Sequence, residues 1–450
     1  MNPAILIDGC AIAAIDSTGT EHAEGWILTE GGVIAALGDG APPPLPEGGR
    51  RIDARGHLAT PALVNCHHHL FQWATRGLAQ ESDLFGWLTT LYPLWAGIDG
   101  EISHHAARAG LAALALSGCA TTTDHHYIFP RGGGDLLEAE IRAAQGLGLR
   151  FQPCRGSMDL GRSSGGLPPD EVIEDRDAIL IATEEAIDRW HDPAPGAMLR
   201  VAVAPCSPFS VTGELMREAA ALARRRGVRL HTHLAETVEE EAFCLERFGV
   251  RPVEYLDDLD WLGPDVWLAH CAHLSPAEIA RLAATGTSVA HCPSSNARLG
   301  SGIAPVADLV AAGVAVGLGV DGAASNESGE LAVELRQALL VARLRGGPAA
   351  MTARTSLALG TIHGARCLGR EDEIGSLEPG KRADIALWRI DGAGHAGLAD
   401  PVAALVLGPP RQVAGLLVDG APVVERGALL TADLDEVARD AAAASARLAP

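Results

Sequence analysis

Between about residues 60 and 369 the apolar positions follow two alternating rhythms. Short apolar runs at 61–66, 120–125, 149–155, 198–205, 228–234, 266–271, 287–292 and 314–321 read as strands. The stretches between them carry helical periodicity, as in GELMREAAALARRRG (213–227) and SPAEIARLAATG (275–286). Strands alternating with helices predict a parallel sheet of the α/β class, and eight is the number that closes a (β/α)8 barrel. The chain ends have another pattern. Residues 1–59 hold short β-like runs (AILIDGCAI, GWILTEGGVIAALG, RIDARGHLATP) and the Gly/Pro-rich loop GDGAPPPLPEGG at 38–49. After residue 370, runs of this kind return at 383–390, 414–420 and 421–427. They pair most naturally with the N-terminal ones, so residues 1–59 and 370–430 are expected to form one small β-sandwich domain. Residues 431–450 are expected to form a C-terminal helix that only packs.

In a barrel of this kind, function sits where the strands end. Five segments stop on His, Glu or Asp: PALVNCHHH (61–69), VRLHTHLAE (228–236), VWLAHC (266–271), TSVAHCP (287–293) and VAVGLGVDG (314–322). Capping or turn formation accounts for one such ending; five, with His-x-His first and Asp last, point to a metal site. His67 and His69, two apart on the first strand, would share a face and grip one ion. His233 ends the fifth strand and Asp321 the eighth. Three neutral imidazoles and a carboxylate suit Zn²⁺, with Fe²⁺ a less favoured occupant. Such an ion acidifies a bound water toward neutrality. Glu236, three residues past His233, can reach that water without ligating and carry its proton. His270 ends the sixth strand, where it could polarise the attacked centre or hold the water. His231 lies one layer deeper and reads as barrel filling; His68 points away from its neighbours and reads as structural.

Composition narrows the setting. The 450 residues, 47% hydrophobic, suffice for a barrel and an accessory domain. No apolar run reaches the 18 or so residues of a membrane span, and the N-terminus lacks a basic segment ahead of an apolar one. Nine cysteines are scattered singly with no C-x-x-C pair, so neither a disulfide framework nor a Cys-rich zinc site is indicated. A cytoplasmic protein is expected. The net charge of −22 argues against nucleic acid as a partner. Of 35 basic residues only Lys381 is lysine, in EPGKRAD (378–384), far from the histidine clusters. A Schiff-base, Walker or carbamylated bridging lysine is thereby excluded from the site.

Taken together, PALVNCHHH, HTHLAE, AHCAHL, HCPSSNARLGSGIAPV, GLGVDGAASNE and IGSLEPGKRADIALW resemble the amidohydrolase superfamily over nearly the whole length. The resemblance is to its branch of zinc aminohydrolases acting on nitrogen heterocycles. It implies that His67, His69, His233 and Asp321 hold one metal, that Glu236 shuttles protons, that His270 is the catalytic histidine and that Asp321 joins His270 in orienting the attacking water. Members with a carbamylated lysine hold two metals; this chain has Cys206 and its neighbours at the end of strand four instead. The other zinc deaminase pattern, H-x-E with P-C-x-x-C, is absent from the sequence. Residues 67–96, 121–130, 150–170 and 204–211 are most similar to 8-oxoguanine deaminases. That similarity implies that Gln72 and Arg155 hold the amide edge of a ring, with urate and ammonia as products. Trp87, His125, His126 and Tyr127 could wall the pocket. Phe71 stands where relatives carry tyrosine, which removes a hydroxyl there. Guanine, isoxanthopterin or a related pterin, and aminated triazines remain alternative substrates, and a non-catalytic scaffold is the alternative from another class. A small heterocycle is the expected partner, with no nucleic acid or membrane; a homo-oligomer is implied by the family alone.

Overall fold

A computed structural model describes residues 3–409 and 412–449. Eight strands close a barrel: β1 Leu63–Asn65, β2 Cys119–His126, β3 Arg150–Ser157, β4 Ala202–Pro205, β5 Leu230–Leu234, β6 Val266–His270, β7 Ser288–His291 and β8 Val316–Leu318. All neighbours run parallel, and β8 returns to β1 through the pair Leu318 and Asn65. Each predicted strand is present, several of them shorter than the apolar run. Before β4, for instance, residue Leu199 touches Phe151 only through an isolated bridge.

The lower interior is filled by one large ring against small side chains. Trp267 of β6 is fully buried among Cys66, Cys154, Ala202, Ala204 and Ala290. Big and small residues across facing strands let the layer close without a void. Helices such as Gly100–Leu116, Leu136–Leu147 and Gly213–Arg226 cover the outside.

The chain ends meet in one nine-stranded mixed sheet. Its two halves join where Ile385–Arg389 runs antiparallel to His57–Pro61. Ile5–Ala13 forks, its first half beside Arg50–Asp53 and its second beside His57–Pro61. The fork encloses a separate core that includes Ile5, Ile7, Ile27, Ile34 and Ile385. The sheet is bolted to the barrel by Arg150 at the start of β3. This fully buried guanidinium donates to both carboxylate oxygens of Asp384 at 3.1 and 3.2 Å, and to the carbonyls of Gly196 and Ala197. The C-terminal helix Leu434–Leu448 lies against Gly100–Leu116, where Arg447 reaches Asp99 and Glu101. Lys381 sits in the end domain, donating to the Glu371 carbonyl and the Ser376 hydroxyl. Among the described residues no helix is long and apolar enough to cross a membrane.

Candidate active site

The first two histidines do not lie on a strand. β1 stops at Asn65, whose side chain donates to Thr122 and accepts from the Val320 N–H, tying β1 to its two neighbours. Beyond it the chain stays extended because its backbone remains paired: Cys66 N–H donates to Leu318, Asp321 N–H to His67 and His125 N–H to His68. The pleat therefore continues in effect, and the His67 and His69 rings meet edge to face with centroids 4.7 Å apart. At the other strand ends the backbone turns sharply. Ala235, His270 and Asp321 have φ of 51°, 72° and 64°, left-handed values that cost about 1–3 kcal/mol each for such residues.

Hydrogen bonding decides which ring nitrogen faces the centre. His69 and His233 each place Nδ1 2.7 Å from a carbonyl oxygen, of His125 and Cys206 respectively. A carbonyl only accepts, so both Nδ1 atoms carry the proton and both Nε2 lone pairs point inward. Those two Nε2 atoms are 3.0 Å apart. The Nε2 atoms of His67 and His69 each lie 3.3 Å from one oxygen of Asp321. The other Asp321 oxygen accepts from the Ser295 and Ser325 hydroxyls. Buried lone pairs this close repel unless a cation lies among them, and His67 Nε2 has no hydrogen-bond partner. Separations of 3.0–3.3 Å fit ligands about 2 Å from a tetrahedral ion, whose edges are about 3.3 Å. The four donors thus fit zinc. Burial holds His67, His69 and His233 below the ordinary histidine range, His69 at about 4, so the rings are neutral and free to ligate. Burial alone would raise Asp321, but its contact with His67 and the charge of nearby His270 outweigh that and hold it ionised.

Glu236 and His270 stand beside the tetrad with a carboxylate oxygen 3.6 Å from Nε2. His270 Nδ1–H donates to Asn296 Oδ1 at 3.0 Å, which turns Nε2 toward Glu236. Burial lifts Glu236 to about 7, where a carboxyl group can both take and give a proton at neutral pH. Glu240 holds the backbone of that turn: its two carboxylate oxygens accept the N–H groups of Ala235 and Glu236 at 2.8 and 2.9 Å.

Above the centre is a narrow pocket. Leu84, Trp87, Leu88 and Tyr92 of the helix Leu84–Trp95 form one wall, and Tyr127, Phe209 and Leu299 face them. Gln72, Ser207 and Ser325 add polar atoms, and among the described residues no Arg or Lys lines it. Gln72 can approach because position 322 is glycine, where a Cβ would sit 1.8 Å from its Oε1.

The profile of the amidohydrolase family matches residues 58–423. The chain belongs to that family. It is 48% identical over 375 residues to an 8-oxoguanine deaminase of Pseudomonas aeruginosa, covering 83% of each chain. It is 41% identical to an isoxanthopterin deaminase from an unknown prokaryotic organism, over 79% of this chain and 77% of that one. In structure it is similar to the atrazine chlorohydrolase of Arthrobacter aurescens TC1 complexed with zinc, with a TM-score of 0.93, 34% identity, and 98% of this chain and 100% of that one covered.

In this amidohydrolase seven of the eight residues singled out from sequence converge on one centre: His67, His69, Gln72, His233, Glu236, His270 and Asp321. Arg155 does not. Along a strand successive side chains alternate, and β3 pairs Cys154 with His125 and Arg155 with His126. Cys154 and His125 face into the barrel; Arg155 and His126 face the helices. Arg155 is paired with Glu174 at 2.7 Å and lies 3.6 Å over the Phe129 ring, so its expected hold on a substrate is corrected to a wall contact. Trp87 and Tyr127 line the pocket as expected. His125 instead stacks beneath His233, with centroids 4.8 Å apart, and His126 contacts Glu140 outside the barrel. Phe71 is buried against Trp95 and His126, behind the lining residues His69 and Tyr127, and does not itself line the pocket. His68 accepts the His69 N–H and stays structural. Sequence reasoning missed Glu240, Ser295, Asn296 and Ser325. All four follow a barrel strand end by a few residues, in ETVEEE, HCPSSN and DGAASN, where helix starts hide polar anchors.

Proposed function

We propose that this hydrolase of C–N bonds deaminates an oxidised purine, converting 8-oxoguanine and water to urate and ammonia. The observation that carries the reading is a proton-transfer pair, Glu236 and His270, beside a His3Asp tetrad at the floor of an aromatic pocket lined, among the described residues, by no Arg or Lys. The 8-oxoguanine deaminase relative supports the ring chosen. His67, His69, His233 and Asp321 would hold one zinc ion, with Fe²⁺ the second choice. When bound, the ion lowers the pKa of a coordinated water and makes a nucleophile available at neutral pH.

The remaining work falls to side chains. Trp87, Tyr92, Tyr127 and Phe209 offer flat faces to a planar bicyclic ring. The Gln72 amide presents a donor and an acceptor to a lactam edge. Its Oε1 is buried without a partner, as an acceptor awaiting a ring N–H would be. Glu236 takes the proton of the attacking water as its oxygen adds to the carbon bearing the exocyclic amine. It passes that proton to the adjacent ring nitrogen, then takes the proton of the newly added hydroxyl and delivers it to the amine, which leaves as ammonia as the C–N bond breaks and the carbonyl forms. His270, fixed by Asn296, orients the water and balances charge beside Glu236.

Two other rings share this chemistry. Isoxanthopterin needs the same lactam contacts. An aminated triazine would use the apolar wall of Leu84, Leu88 and Leu299 for its N-alkyl groups. Ammonia release measured across 8-oxoguanine, guanine, isoxanthopterin, cytosine and aminated triazines decides among them. The highest kcat/KM is expected for 8-oxoguanine, with urate forming in step; a higher value on any other ring reassigns the substrate.

A further inference from the structure

Two of the three histidine ligands anchor Nδ1 on a backbone carbonyl; His67 does not. Its Nδ1 lies 2.8 Å from Nε2 of another imidazole, His231. His231 in turn places its own Nδ1 2.8 Å from the Trp267 carbonyl. The direction of the chain follows from its end. The carbonyl can only accept, so His231 carries its proton on Nδ1 and offers a lone pair at Nε2, and His67 must donate from Nδ1. The Nε2 of His67 is then left as a lone pair facing the centre. The chain also closes on itself, because the Trp267 indole N–H donates at 2.9 Å to the carbonyl of Cys66, the residue before His67. The His231 ring lies flat on the Trp267 indole, with centroids 4.4 Å apart and planes 14° apart. All four residues are buried to 0% exposure, so no solvent can replace the partner.

We infer that His231 is a positioning residue for metal binding, setting the protonation site and ring plane of His67 from beneath the pocket. Read from sequence, this residue was barrel filling; its contacts give it a direction and a partner. Without the acceptor at His231, the His67 proton is free to move to Nε2, where Asp321 would accept it, and the lone pair is lost from the centre. The inference rests on the reading of His67 as a ligand.

The test is zinc affinity rather than turnover. Chelator-stripped protein is titrated with Zn²⁺ against a chromophoric competitor for the parent, His231→Phe and His231→Gln. Phenylalanine keeps a ring on Trp267 and removes the acceptor; glutamine keeps both a donor for the Trp267 carbonyl and an acceptor for His67. His231→Phe should bind zinc about 10–100-fold more weakly. His231→Gln should recover to within about threefold of the parent. Parent affinity in His231→Phe, or an equal loss in both variants, overturns the inference. A parent protein that binds no zinc overturns the ligand reading instead. Should His231→Phe not fold, ¹⁵N-histidine spectra of the stripped parent decide: both His67 and His231 are expected as Nδ1–H tautomers, and an Nε2–H His67 refutes the role.

Discussion

Glu236 owes its chemistry to being dry. Its carboxyl group is buried, sits near 7 and lies 3.6 Å from His270 Nε2. Glu236→Gln should therefore lower kcat for ammonia release by about 10²–10⁴-fold. Zinc content by metal analysis should stay unchanged, and loss of the metal would show that Glu236 ligates. Gly322 is a second residue whose identity is forced. An alanine there would put Cβ 1.8 Å from Gln72 Oε1, so the amide must leave its position. Gly322→Ala should reduce kcat/KM by about tenfold or more, mostly through KM, in steady-state assays on the preferred ring. At this scale the sequence was informative wherever a reactive side chain followed an apolar run, as with His67, His69, His233 and Asp321. It misled for Arg155, because the inward or outward sense of a strand depends on register with its neighbour. It undervalued His231, whose meaning lies in a partner 164 positions away.

Among the elements, the eight barrel strands were legible and their ends were not. The run 61–66 became Leu63–Asn65 because Pro61 belongs to the other sheet, paired with Ile385. The run 314–321 became Val316–Leu318 because the chain leaves the ladder to bring Asp321 round in a left-handed turn. The contact between β2 and the helix Leu136–Leu147 makes a pH-dependent prediction. His126 Nε2–H donates to the Ile128 carbonyl, so its Nδ1 receives a proton from the carboxyl group of Glu140. Burial lifts Glu140 from 4.5 to about 8. A carboxyl raised by folding contributes stability that is whole below pH 4.5 and is lost as pH climbs to about 8. In Glu140→Gln an amide N–H takes over the donation and cannot ionise. The melting temperature of that variant should gain steadily on the parent between about pH 5 and 8. A constant difference across that window would show that Glu140 is ionised in the folded protein.

For the whole molecule, the junction of barrel and end sheet depends on one buried cation. Arg150 satisfies Asp384 and two carbonyls at once, and Arg150→Met would leave that buried carboxylate without its cation, held only by the Asp419 N–H. A loss of about 3–5 kcal/mol is expected in denaturant melts. A loss below about 1 kcal/mol would mean that the two units are held by their apolar surfaces alone. The pairing of both chain ends in one sheet was readable from the matching runs at 1–59 and 370–430. The bolt was not, since nothing in RFQPC marks its arginine as buried.

The first and last of the proposed ligands are 254 residues apart (321 − 67). They become neighbours only when Leu318 of β8 zips onto Asn65 of β1. A chain still emerging from the ribosome, or one cut anywhere ahead of β8, thus cannot own the complete tetrad. The tetrad is thus a property of the closed ring and of no shorter piece of it.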